Sequence, residues 1–241
     1  MLYNNIVMNA YCKSFSKKRQ TGNALIYVLI VVALFGALSF LLARQTDTSE
    51  TGVVGEEKIN IYAGQLISSA SQLKQAVDMM QYSGSAIDDL DFVTPDDEPA
   101  YSTAPHIDKV FHPEGGAVIL PKLPTEVVSQ FSNDPIAKWY IGRFNNVEWT
   151  PSIAEDVILV AHQISPAVCA KINETLTGSA TIPALGVAYS LRNVLIDDSL
   201  HSGANTDFDV AACAACEGVP SLCITNNAGT MYSFYSIVAQ Q

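Results

Sequence analysis

The chain is short of charge. Only 15% of its 241 residues are Asp, Glu, Lys or Arg, against 49% hydrophobic. Positive charge is the scarcer sign. All 24 acids but only 8 of the 13 bases lie beyond residue 44, a net charge of −16 over that stretch. Such a surface repels phosphate, so no nucleic-acid partner is expected. Acidity of this kind serves solubility. Motifs for common chemistries are missing as well. There is no H-E-x-x-H, no G-x-S-x-G and no glycine-rich phosphate loop. The histidines, His106, His112, His162 and His201, share no motif. No catalytic residue, no metal site and no cofactor is expected, and there is no internal repeat.

What is present starts with an apolar run. Ala24 to Ala43 read ALIYVLIVVALFGALSFLLA, 20 residues without a charge. As a helix rising about 1.5 Å per residue, this covers about 30 Å, the hydrocarbon core of a bilayer. Lys13, Lys17, Lys18 and Arg19 stand before it with no acid among them, and Arg44 closes it. A cleavable secretory signal has a shorter core followed by a small-x-small site. Here Arg44-Gln45-Thr46-Asp47 follows. The basic flank belongs in the cytoplasm, which sends everything after Arg44 across the membrane.

Thr46 to Gly55 is polar, with Gly52 and Gly55, and reads as a joint. In Glu56 to Tyr82, apolar residues recur in steps of three and four at Ile59, Tyr62 or Ala63, Leu66, Ile67, Ala70, Leu73, Ala76, Val77 and Met80. That is one stripe of an amphipathic helix, with Glu56 and Glu57 at its start and Gly84 past its end. Ile87 to Pro105 is a loop dense in Asp and Pro. Hairpins are predicted for Val110–His112 with Ala117–Leu120, and for Trp139–Phe144 with Val147–Trp149 across Asn145-Asn146. Asp156 to Ala161 is a short apolar strand. Ser165-Pro166 caps a helix running to about Leu176, ended by Gly178. Leu222–Asn226 and Met231–Ala239 make a last hairpin across Asn227-Ala228-Gly229. The fold class is α+β: a long N-terminal helix, transmembrane then amphipathic, packed on an antiparallel sheet.

Cys169, Cys213, Cys216 and Cys223 lie on the exported side, where disulfides form. Cys12 lies before the apolar run, on the cytoplasmic side, and is removed with that segment or stays reduced. Two bridges are expected, and four cysteines allow three pairings. A Cys213–Cys216 bridge is tight. The favoured arrangement ties Cys169 to the C-terminal region, with the remaining pair closing a local loop. Zinc would need a second C-x-x-C knuckle that is not there. The position of Cys213-x-x-Cys216 among alanines does not suit thiol catalysis. Two acidic clusters, Asp88, Asp89, Asp91, Asp96, Asp97 and Glu98, then Asp197, Asp198, Asp207 and Asp209, lack EF-hand spacing and read as solvated loops. The sequon Asn173-Glu174-Thr175 counts for little if the host is bacterial.

The stretch Lys17-Lys18-Arg19-Gln20-Thr21-Gly22, followed by Asn23-Ala24-Leu25-Ile26-Tyr27-Val28 and the apolar run, resembles the prepilin signal of type IV pilins and type II secretion pseudopilins. The resemblance covers about 30 residues. It implies a cut after Gly22 by a prepilin peptidase and methylation of the new N-terminus at Asn23. Leu25, Ile26 and Gly36 match the family in register and are implied in assembly. Two positions depart from it: Asn23 stands where Phe or Met is usual, and Tyr27 where Glu is usual. In major subunits that Glu is thought to neutralise a neighbour's N-terminal amine, so Tyr27 implies a minor or tip-like subunit, or a diverged filament. The implied organisation is a leader over 1–22, a transmembrane helix over 23–44, its amphipathic continuation over 45–83 and a disulfide-bearing head over 84–241. The implied protein is a non-enzymatic filament subunit of the bacterial inner membrane. Its head is periplasmic or extracellular, and its partners are other pilin or pseudopilin subunits. The alternative is an uncleaved, signal-anchored periplasmic domain that binds a ligand or partner.

Overall fold

A computed structural model describes residues 24–46, 55–197 and 208–241, with side chains of the first helix over 26–39. The chain falls into two units, Met1–Val53 and Val54–Gln241. In the first, helix α1 runs from Ala24 to Thr46. The expected continuation of this helix into the amphipathic one crosses residues 47–54, outside the described residues.

The second unit is α+β. Its elements are α2 (Glu56–Tyr82), β1 (Trp139–Asn145), β2 (Asp156–His162), α3 (Pro166–Thr177), α4 (Leu191–Leu195), β3 (Ser221–Thr225) and β4 (Tyr232–Ala239). The four strands form one antiparallel sheet in the order β1-β2-β4-β3. β2 is central and buried along its whole length, which is why its sequence is continuously apolar rather than alternating. Val157, Leu159 and Ala161 face one core with Phe234, Val238, α2 and α3. Ile158 and Val160 face a second core with Leu222, Ile224, Tyr235, Ile237, Phe208, and Leu191, Val194 and Leu195 of α4.

Of the stripe predicted for α2, Ala63, Leu66, Ala70, Leu73, Val77 and Met80 are buried, while Ile59, Tyr62, Ile67 and Ala76 are half-buried. Full burial of a side chain such as Leu73 stabilises by roughly 1.5–3 kcal/mol. Gly84, at φ 109°, takes the left-handed turn that follows the helix. α3 is capped as its sequence specifies. Ser165 Oγ accepts from Val168 N, Pro166 fills the first turn, and Gly178 at φ 79° ends the helix. The β3–β4 hairpin is also where the sequence puts it.

Two predicted hairpins are not formed. Val110–His112 and Ala117–Leu120 double back without becoming strands, joined by Val118 N donating to Val110 O. The backbone of Gly115 and Gly116 presses directly on His106, Lys109 and Val110, leaving no room for a side chain, and this tightens the segment into turns. Val147–Trp149 does not pair with β1, whose partner is β2. The cause is Asp156. Its Oδ2 accepts from Val147 N at 3.0 Å and from Thr150 Oγ1 at 2.8 Å, which fixes 147–150 as a turn.

Candidate functional site

α1 exposes its apolar side chains all round: Ile26, Tyr27, Leu29, Phe35 and Leu38 are each at least half exposed. A Cβ built on Gly36 would meet nothing within 4 Å, so this helix face is open at its smallest residue. Among the described residues no helix is long and apolar enough to cross a membrane. The described side chains of α1 cover 26–39, shorter than a bilayer crossing requires. Gly22 and Asn23 lie outside the described residues. Leu25 lies within the helix backbone, its side chain outside them.

The cysteines come together in two pairs. Cys169 on α3 is bonded to Cys223 on β3, with Cα atoms 5.4 Å apart, and Cys213 to Cys216 around a short 3-10 turn, Ala214–Cys216. The first bridge pins α3 to the edge of the sheet. All four sulfur-bearing residues are buried.

The first acidic cluster is dispersed into local turns. Asp91 Oδ1 accepts from Val93 N, and Asp97 Oδ2 from both Thr94 N and Thr94 Oγ1. Those two bonds from Thr94 hold the Asp97 carboxyl below its ordinary value. Asp96 pairs with Lys122 at 3.7 Å, and Asp88 accepts from Gln241 Nε2. Of the second cluster, Asp197 pairs with Arg192, and Asp209 caps Ala212 N. Asp198 and Asp207 lie outside the described residues. Among the described residues no group of three or more His, Cys, Asp or Glu is arranged to hold a metal ion.

The structural roles of several buried polar residues were not read from the sequence. Lys109, 4% exposed, donates its ammonium to the carbonyls of Ala100, Tyr101 and Thr103. Gln163 is fully buried. Its Oε1 accepts from Phe131 N and Ser132 N, and its Nε2 donates to Ser132 O and Pro135 O, which fixes the loop ahead of β1. Asn173 is fully buried and grips the main chain of Cys223 at both ends. It is therefore a structural residue and closed to glycosylation. The signal that marks it is a polar residue inside the buried stripe Cys169, Ile172, Asn173 of α3.

One contact resembles a nucleophile and its base. His162 Nδ1 lies 2.8 Å from Ser233 Oγ. Both residues are sealed in the core, at 1% and 0% exposure, so neither can meet a substrate. Burial pushes the imidazole down to about 4 and keeps it neutral.

The chain matches no family model, no curated protein and no solved structure. Function is therefore read from its own residues and surfaces.

Two grooves flank α2. One, of about 430 Å³, lies between α2 and the β3–β4 side of the sheet, with Ala70, Lys74, Phe234 and Ser236 in its walls. Lys74 is turned inward there, donating to Val238 O at 3.0 Å. The other, of about 460 Å³, is walled by Tyr62, Leu66, Lys122, Leu123, Val127 and Trp139, and reaches the first residue of β1.

Proposed function

We propose that this chain is a non-enzymatic prepilin-like subunit, minor or tip-like, of a type IV pilus or type II secretion pseudopilus. The observation that carries the proposal is the basic leader ending in Gly22 set directly against 20 uncharged residues, whose helix exposes apolar side chains on every described side. Water does not tolerate so much exposed apolar surface. A bilayer covers it before assembly, and the apolar helices of neighbouring subunits cover it afterwards. Gly36 allows a neighbouring helix to approach closely. The disulfide-bearing α+β head is carried on the far side of the inner membrane and makes the contacts of the filament surface.

In this account a prepilin peptidase cuts after Gly22 and Asn23 becomes the methylated N-terminus. Tyr27 then carries the argument about rank. A buried ammonium without a counter-charge costs several kcal/mol or more. A subunit lacking a carboxylate at this position cannot neutralise the N-terminus of the subunit next to it. It fits an end of the filament, where that neighbour is missing, better than the repeating body.

Replacing Gly22 by Leu tests the proposal. Processing should stop and the full-length precursor should accumulate in the membrane fraction. Unchanged migration of the Gly22→Leu protein beside wild type would favour the second reading, an uncleaved signal anchor holding a periplasmic binding domain.

A further inference from the structure

The two edges of the sheet are treated differently. On β3, the outward main chain is closed. Cys223 N donates to Asn173 Oδ1 at 2.7 Å, and Cys223 O accepts from Asn173 Nδ2 at 2.8 Å. Further along, Thr225 N donates to Pro183 O, and Thr225 O accepts from Leu185 N. A side-chain amide and a short chain segment thus take the places of a neighbouring strand.

β1 has no such cover. His162 N donates to Lys138 O. With the register Tyr140↔Val160 and Gly142↔Ile158, this turns the main chain of residues 138, 140 and 142 toward β2. The N–H and C=O groups of Trp139, Ile141 and Arg143 point the other way, and among the described residues none has a hydrogen-bond partner. An uncovered edge of this kind is a template for another strand. No proline interrupts it, and its register shift comes only past Arg143.

A second observation lies at the same place. The groove of about 460 Å³ opens at Trp139, between Tyr62 and Leu66 of α2 and Leu123 and Val127. Trp139 and Ile141 pack on the core face that α2 covers. A strand hydrogen-bonded to the outward groups of Trp139 and Ile141 would set the side chains of its paired residues on that same face, beside the groove. Main-chain bonds along an edge plus a pocket for alternate side chains is the pattern by which extended peptides are recognised.

We propose that β1 is the docking edge for an extended, acidic segment of a partner protein. The segment adds a fifth strand to the sheet and sets an apolar side chain into the groove beside Trp139. Charge selects this occupant. Among the described residues Lys122 is the one charged residue in the groove wall, and Lys138 is exposed immediately before β1. Asp96 answers Lys122 only at 3.7 Å through exposed side chains. A second copy of β1 would bring its own Lys138 and Arg143 to the ribbon and no acid, since residues 138–145 contain none. This proposal is independent of how α1 is processed or assembled.

The test uses the full chain, isotopically labelled in detergent micelles, with seven-residue peptides matched to the length of β1. One probe alternates Ile with Asp, and one alternates Ile with Lys. A third is the Asp peptide N-methylated on the residues that would bond to β1. The Asp peptide, at about 1 mM, should slow hydrogen exchange of the Trp139, Ile141 and Arg143 amides by about tenfold or more. The Lys and N-methylated peptides should not. Ile141→Pro removes an N–H that β2 does not use and should abolish the effect. If that variant misfolds, the N-methylated probe still decides. Equal action of the N-methylated peptide, protection on β3 instead, or no protection at all would overturn the proposal. So would concentration-dependent protection without any peptide, which would make the occupant a second copy.

Discussion

Asn173 holds the β3 edge closed, and its replacement by Leu gives a measurable consequence. The two side chains are similar in volume, so the change removes hydrogen bonds with little change in packing. Three bonds disappear: Nδ2 to Cys223 O at 2.8 Å, Nδ2 to Thr181 O at 2.9 Å, and Cys223 N to Oδ1 at 2.7 Å. Thr181 is exposed, and its carbonyl can turn to water. Cys223 is fully buried, so its N–H and C=O are left without partners. At about 1–3 kcal/mol for each such group, and with a small return from the added apolar surface, the loss is about 3–4 kcal/mol. For a unit of this size that lowers the unfolding midpoint by about 10 °C, read by circular dichroism with the disulfides intact. Asn173→Asp gives a further signature. The carboxylate still accepts from Cys223 N but faces Cys223 O with no proton to offer. Burial and that carbonyl raise its folded pKa above the ordinary value of about 3.9. The Asp variant is therefore closest to wild type at acid pH and loses stability as pH rises through the folded pKa. A Leu variant within about 0.5 kcal/mol of wild type would refute the edge-closing role of Asn173.

His162 and the disulfides supply the other expectations. Burial lowers His162 from 6.5 to about 4, so between those values the unfolded chain binds a proton that the folded chain does not. Stability should fall as pH is lowered through that window, by about 3 kcal/mol in all, in urea midpoints measured at successive pH values. His162→Gln should flatten the dependence. Asp156 acts in the opposite sense at the acid end, because burial raises its carboxyl against the pull of Thr150 and Val147. Opening the Cys169–Cys223 bridge, which spans 54 residues, should cost about 4 kcal/mol, and opening Cys213–Cys216, which spans 3, about 1.5 kcal/mol. Paired Cys→Ser variants compared by denaturant midpoint check the ranking. Equal losses would contradict the loop-entropy argument.

How far the fold was legible depended on the range of the interactions that set each element. α2 could be read because its stripe and its glycine end are local, and α3 because Ser165, Pro166 and Gly178 specify both ends within a few residues. The β3–β4 hairpin followed from its turn. Where a distant side chain decides, the sequence pattern misled. Asp156 fixes 147–150 as a turn from outside that segment. The packing of Gly115 and Gly116 on the 106–110 backbone replaces a predicted hairpin with turns. α4, only five residues long, has too little periodicity to register. The asymmetry of the sheet edges was invisible for the same reason, since it depends on where Asn173 of a helix meets Cys223 of a strand. The anchor segment is the reverse case. Its length, its charge flank and the Gly22 register are all local, and the function proposed for the chain rests on them.

That proposal is tested most directly at the N-terminus of the protein extracted from membranes of its own host. N-terminal sequencing with intact mass spectrometry should find a chain that starts at Asn23 with a methylated amine. An intact Met1, or a cut after Ala43, would contradict the account.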